Sequence, residues 1–194
     1  MLIKTEETIV APRRNFLGKG GAVLSAAAVG ILAGNATLVR AADNPAGDVA
    51  TLNVALGLEH EAIGAYQLGA ESGLLQKAVL DVAVAFQGHH KGHRDALMAT
   101  IEKLGGKPVK AKSLDEYAKA LGAGGLKSQA DVLELAARLE LGATNAYLGV
   151  IPSFADKGLA KVAARLAADE TMHWTILSNA MGKSLPANAL SFGA

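Results

Sequence analysis

The chain contains no cysteine. That excludes disulfides, thiolate metal sites and a cysteine nucleophile, and the cysteine count says nothing about compartment. Aromatic residues are only 4% of the 194 residues, and proline occurs five times. β-Branched runs are few, while alanine and leucine dominate. A chain of that kind loses little on entering a helix. No flavin or nicotinamide fingerprint is present. A strong charge of one sign is also missing. Residues 1 to 41 hold five of the nineteen basic and two of the eighteen acidic residues, which leaves 14 against 16, a net charge of −2. The remainder shows no basic stripe, which argues against a nucleic-acid partner.

The first 41 residues stand apart. Arg13-Arg14-Asn15-Phe16-Leu17 precedes a weakly apolar run over about residues 21 to 34. Small residues then suit a cleavage site at Val39-Arg40-Ala41-Ala42. The apolar run is too short, and too rich in glycine and alanine, for a stable membrane span. R-R-N-F-L resembles the core of a bacterial twin-arginine export signal. That resemblance implies a periplasmic or extracytoplasmic protein that folds, often around a cofactor, before export. The expected organisation is a signal over 1–41, a linker over 42–47, a helical bundle over 48–182 and a tail over 183–194.

Helical spacing of apolar residues predicts four long helices over about 48–73, 76–104, 128–150 and 157–180. Gly105-Gly106 and Pro108 stop the second. Ser128, with Asp131 three residues on, marks the start of the third. Ser113 to Glu116 can cap a short helix in the long connection over 106–127. Short links inside each pair, and a long one between pairs, predict an all-α, up-down-down-up four-helix bundle with one long crossover.

The two pairs echo one another. HKGHRDAL at 90–97 lies over ETMHWTIL at 170–177, so His93 meets His173, Leu97 meets Leu177 and His90 meets Glu170. LEHEAIGAY at 58–66 lies over LELGATNAY at 139–147, so Glu59 meets Glu140 and Tyr66 meets Tyr147. The domain reads as a duplicated helical hairpin. Residues three apart on a helix share a face. His90 with His93, and Glu170 with His173, therefore form two arms that can point inward with Glu59 and Glu140. Buried carboxylates are expensive unless paired or bound to metal. The alternative for each is an ordinary solvated helix face.

This arrangement resembles the ferritin-like, carboxylate-bridged di-metal fold, and more closely its exported bacterial branch. The resemblance covers about residues 48 to 181. It implies Glu59, His90, His93, Glu140, Glu170 and His173 as metal ligands around two divalent ions, iron or manganese, with zinc or copper as alternatives. The chain departs from the pattern at position 90, where the family places Glu. Three carboxylates and three imidazoles leave open an asymmetric pair, a single metal or another ion. The implied function is redox chemistry with O2 or peroxide, or metal oxidation. The alternatives are a non-enzymatic metal-binding or stress-protective bundle, and a structural bundle with a decayed site. A homodimer is compatible with the family.

Other residues carry lesser expectations. His89 lies about 100° round the helix from His90, so it reads as beside the site or on the surface. His60 and Glu61 read as exposed. Tyr66 and Tyr147 read as core residues with a hydroxyl partner, or as an electron relay. Trp174 reads as packing, and Gln87 as a weaker ligand candidate than His90.

Overall fold

The computed structural model describes residues 45–193. The export signal read over 1–41, and the first residues of the expected linker, lie outside them. Five helices form, with no strand among the described residues: α1 Pro45–Glu71, α2 Lys77–Lys103, α3 Leu114–Leu121, α4 Gln129–Val150 and α5 Lys157–Ala180. The four long helices stand where the periodicity placed them, and the short one follows the Ser113 capping signal. The first begins slightly earlier than expected, at Pro45, inside the segment read as linker. Proline suits a helix's first position, because its missing N–H has no intrahelical partner there.

The local chemistry of the ends is conventional. Ser113 and Glu116 close a reciprocal capping box at the start of α3. Ser128 accepts from the Asp131 N–H at the start of α4, and Asp156 accepts from the Gly158 N–H at the start of α5. Helix α2 stops at Gly105, whose φ of 76° suits glycine, while the Gly106 N–H reaches back to the Ile101 carbonyl at 2.9 Å.

Contacts across the bundle fix its topology. Tyr66 of α1 bonds Glu140 of α4, and Tyr147 of α4 bonds Glu59 of α1, so these helices run antiparallel. His89 of α2 meets His173 of α5, and His93 meets Asp169, so these run antiparallel as well. Helices α2 and α4 are then parallel, and the chain between them must travel the length of the bundle. It does so along α1. Asn53 holds the Lys107 carbonyl and the Val109 N–H, and His60 lies 3.1 Å from the Val109 carbonyl. Further along, Tyr117 packs on Gly64.

This strap corrects two expectations. His60 and Glu61 are buried rather than exposed. Both lie on the side of α1 that the crossover covers, which helical periodicity alone left facing solvent.

The core is layered. One apolar cluster joins Leu52, Leu56, Leu97, Ile101, Tyr147 and Leu166. A second joins Tyr66, Phe86, Leu133, Ala137 and Leu177. Between them lies a layer of ionisable side chains. A third cluster, around Tyr117, Leu121 and Leu135, seats the crossover.

A Cβ built on Gly64 would lie 2.6 Å from the Tyr117 ring, whereas one on Gly57 meets nothing within 4 Å. Gly64→Val is therefore expected to cost about 1–3 kcal/mol of stability through overpacking. Gly57→Ala should add up to about 1 kcal/mol through helix propensity. Urea unfolding of the two variants, followed by circular dichroism, reads both signs.

Candidate metal centre

The polar layer is built from one position on α1, two on α2, one on α4 and two on α5. Glu59, His90, Glu140, Glu170 and His173 are all at most 2% exposed, and His93 is 9% exposed. The structure thus brings together all six residues singled out from spacing. The i, i+3 pairs do what helical geometry allows: each sets two ligand-type groups on one inward face.

His90 lies at the middle. Its Nδ1 is 2.8 Å from Glu59 and its Nε2 is 3.2 Å from Glu140. Both nitrogens face a carboxylate, so in the metal-free protein both donate and the ring is a cation. Burial opposes that charge, but Glu140 and Glu59 overcome it and hold the imidazolium well above its ordinary range. His173 Nδ1 lies 3.1 Å from Glu170 and 3.4 Å from Glu140. Burial would lower the His173 pKa as well, and the two carboxylates raise it. Burial would raise the Glu59 carboxyl; the hydrogen bond from His90 and the nearby His93 imidazolium, 3.6 Å away, reverse this and hold it at about 2. Glu140 is lowered in the same way, its burial outweighed by His173 and His90. Glu170 is the exception. Burial wins there, and its pKa is raised.

One pair of atoms is left over. His93 Nδ1 and Glu170 Oε1 are buried and make no hydrogen bond. They lie 3.2 Å apart, within ion-pair range, but off the line a hydrogen bond needs. Two groups of four side chains each present ligand atoms within 4.8 Å of one another: Glu59, His90, His93 and Glu170, and His90, Glu140, Glu170 and His173. His90 and Glu170 belong to both. Such a donor set of oxygens and imidazole nitrogens suits divalent first-row metals.

A chain region with this layout has a counterpart. A family model described as a ferritin-like domain matches residues 47–183. The chain belongs to that ferritin-like family. No curated protein and no solved structure matches it.

Around the ferritin-like centre stands a ring of supporting groups. Tyr66 donates to Glu140, and Tyr147 donates to Glu59. These are the expected core tyrosines, and their hydroxyl partners are site carboxylates on the opposite hairpin. His93 Nε2 lies 3.1 Å from Asp169, and His173 Nε2 lies 2.9 Å from His89. Asp169 is the residue that spacing arguments missed. The signal was available: in the duplicated register position 169 falls opposite position 89. Each occupies the place four residues before the inward histidine of its own helix, and each backs the histidine of the other.

The remaining candidates sort cleanly. Gln87 is buried and bonds the Ile63 carbonyl and Gln67, outside the cluster. Trp174 packs edge-on against Phe192 at 5.2 Å. Glu61, rather than facing bulk water, lines a cavity of about 20 Å³ with His90 and Glu140. That volume suits one water molecule. Burial raises the Glu61 pKa.

The charge network carries its own pH signature. Burial opposes a charge on His93, but Glu170 and Glu59 raise its pKa from 6.5 to about 10. Its stabilisation is full below about 6.5 and is lost as pH rises through about 10. Glu59, lowered from 4.5 to about 2, stabilises fully above about 4.5 and loses its contribution as pH falls through about 2. The metal-free protein is therefore expected to be most stable between about pH 4.5 and 6.5. Melting temperatures measured across pH in the presence of chelator should peak in that window and fall on both sides.

Proposed function

We propose that this chain holds a pair of divalent metal ions, iron or manganese, in the layer between the two apolar clusters. The observation that carries this reading is the facing, unbonded pair of His93 Nδ1 and Glu170 Oε1 inside a buried set of six ligand-type side chains. Buried polar atoms are otherwise almost always satisfied. Glu59 and His93 would hold one ion and Glu140 and His173 the other, with His90 and Glu170 between them. A redox-active ion pair there would supply Lewis acidity and electrons for chemistry on O2 or peroxide, or for oxidation of further metal.

The chain's own groups have definable roles in that setting. Tyr66 and Tyr147 hold Glu140 and Glu59 in place from across the bundle. Asp169 and His89 fix the ring orientation of His93 and His173, as outer partners of metal-ligating histidines do. The Asp169 side chain is 43% exposed, and His89 is exposed as well. His93 and His173 thus each have a proton route of one residue to solvent. The apolar clusters on either side keep bulk water from the centre.

The second reading is a bundle that stores or sequesters metal without turnover. Position 90 favours it. An imidazole there replaces a carboxylate, so three carboxylates rather than four face two divalent ions. Export belongs to the proposal too. The R-R-N-F-L run points to the twin-arginine route and a periplasmic location, and no described helix is long and apolar enough to cross a membrane. A homodimer fits the same proposal.

Elemental analysis of protein purified without chelator should find about two iron or manganese ions per chain. Glu140→Ala should lose them. No metal after reconstitution would sink the reading, and one zinc or copper ion would recast the centre as mononuclear. Asp169 backs His93 with a carboxylate, whereas His89 backs His173 with an imidazole. Calorimetric titration should therefore resolve two uptake steps differing by about ten-fold or more in affinity. In His89→Asp the two steps should converge.

A further inference from the structure

The apolar layer at the end of the bundle that carries the α1–α2 turn is incomplete. A cavity of about 150 Å³ lies there, walled by all four long helices, by Leu75 of the α1–α2 turn and by Leu126 of the crossover. Leu75, Val79, Leu133, Ile176 and Ala180 contribute to its walls, with Tyr66 at its inner end. Apart from Tyr66, every lining residue is Ala, Gly, Val, Leu or Ile. The Tyr66 hydroxyl is already committed to Glu140. Ile176 is 48% exposed, so the cavity opens to solvent beside it.

No described segment fills this space. Helix α1 starts at the opposite end of the bundle, where Asp48 accepts from the Ala155 N–H. The tail after α5 turns back along the bundle: Phe192 packs on Trp174 and the Gly193 N–H bonds Asn145.

We propose that the cavity is a binding site for one small uncharged apolar molecule, a single aromatic ring or a hydrocarbon chain of similar volume, seated against Tyr66. Size and chemistry both select that class. A dry, aliphatic-lined cavity of about this volume takes benzene or xenon. A charged or strongly hydrogen-bonding molecule would lose its hydration and find no free partner in these walls. The position matters for function. Tyr66 lines the cavity, His90 lies 5.4 Å from its ring, and its hydroxyl holds Glu140. One aromatic ring therefore separates the bound molecule from the carboxylate layer.

The test uses hexafluorobenzene titrated into the purified, chelator-treated chain and followed by fluorine NMR. Saturable binding of one molecule per chain is expected. Ala83→Leu combined with Ala136→Leu fills the cavity and should weaken binding by about ten-fold or more. Val79→Ala enlarges it, and should tighten binding of octafluorotoluene relative to hexafluorobenzene. Absent or non-saturable binding overturns the proposal. So does binding that is unchanged in both the filled and the enlarged variant. The probe needs no metal, so failure to bind metal leaves this test standing, and failure to bind the probe leaves the metal reading standing.

Discussion

Six ionisable side chains sit in one layer of this bundle with almost no contact with water. Everything else in the structure answers to that constraint. An isolated buried carboxylate is strongly unfavourable, and its usual escape is to take up a proton. Here Glu59 and Glu140 stay charged because His90, His93 and His173 stand beside them. The compensation is geometric. It needs four helices at a fixed register, because each carboxylate finds its partners on other helices. Tyr66 and Tyr147 close the arrangement by bonding each hairpin's Glu from the opposite hairpin. A sliding or splayed bundle would strand several charges at once, so the polar layer specifies the register that the apolar clusters on either side alone would specify weakly.

Duplication accounts for the symmetry of this layer, and two positions break it. Glu59 and Glu140, Tyr66 and Tyr147, and His93 and His173 occupy equivalent places, and each tyrosine bonds the glutamate of the other hairpin. Position 90 carries His where 170 carries Glu, and position 89 carries His where 169 carries Asp. Both differences exchange an anion for an imidazole on α2. The α2 face is therefore more basic than the α5 face it meets, and the two halves of the centre differ in their electrostatics although their backbones correspond. Glu170, the one carboxylate of the six central residues whose pKa is raised, sits opposite the position where its counterpart carboxylate is missing.

Much of this was legible in the chain. Alanine and leucine at helical spacing, with glycine and proline stops, located all four long helices. Ser113 and Ser128 marked two starts through local capping chemistry that needs no tertiary context. The six central residues followed from the i, i+3 rule and the repeat between hairpins. His60 and Glu61 were misjudged because a helix's periodicity describes its own faces, not what lies over them. The strap held by Asn53 buries a face that spacing left to solvent. Asp169 went unnoticed because its role depends on reaching across to α2, and an exposed-looking acid beside Glu170 carries no local mark of that.

The sequence by itself determined the helices, their pairing and which side chains could share an inward face, because these depend on interactions within a few residues or on a repeat visible in one dimension. Tertiary structure alone decided which carboxylate faces which imidazole, which histidine nitrogen stays unbonded, and where the apolar layer leaves a cavity. Those are properties of distances between helices, and no spacing along one chain encodes them. His90 shows the division well. Its inward direction was set by its place three residues before His93. Its position between Glu59 and Glu140, donating to both, exists only once α1 and α4 close on either side of it.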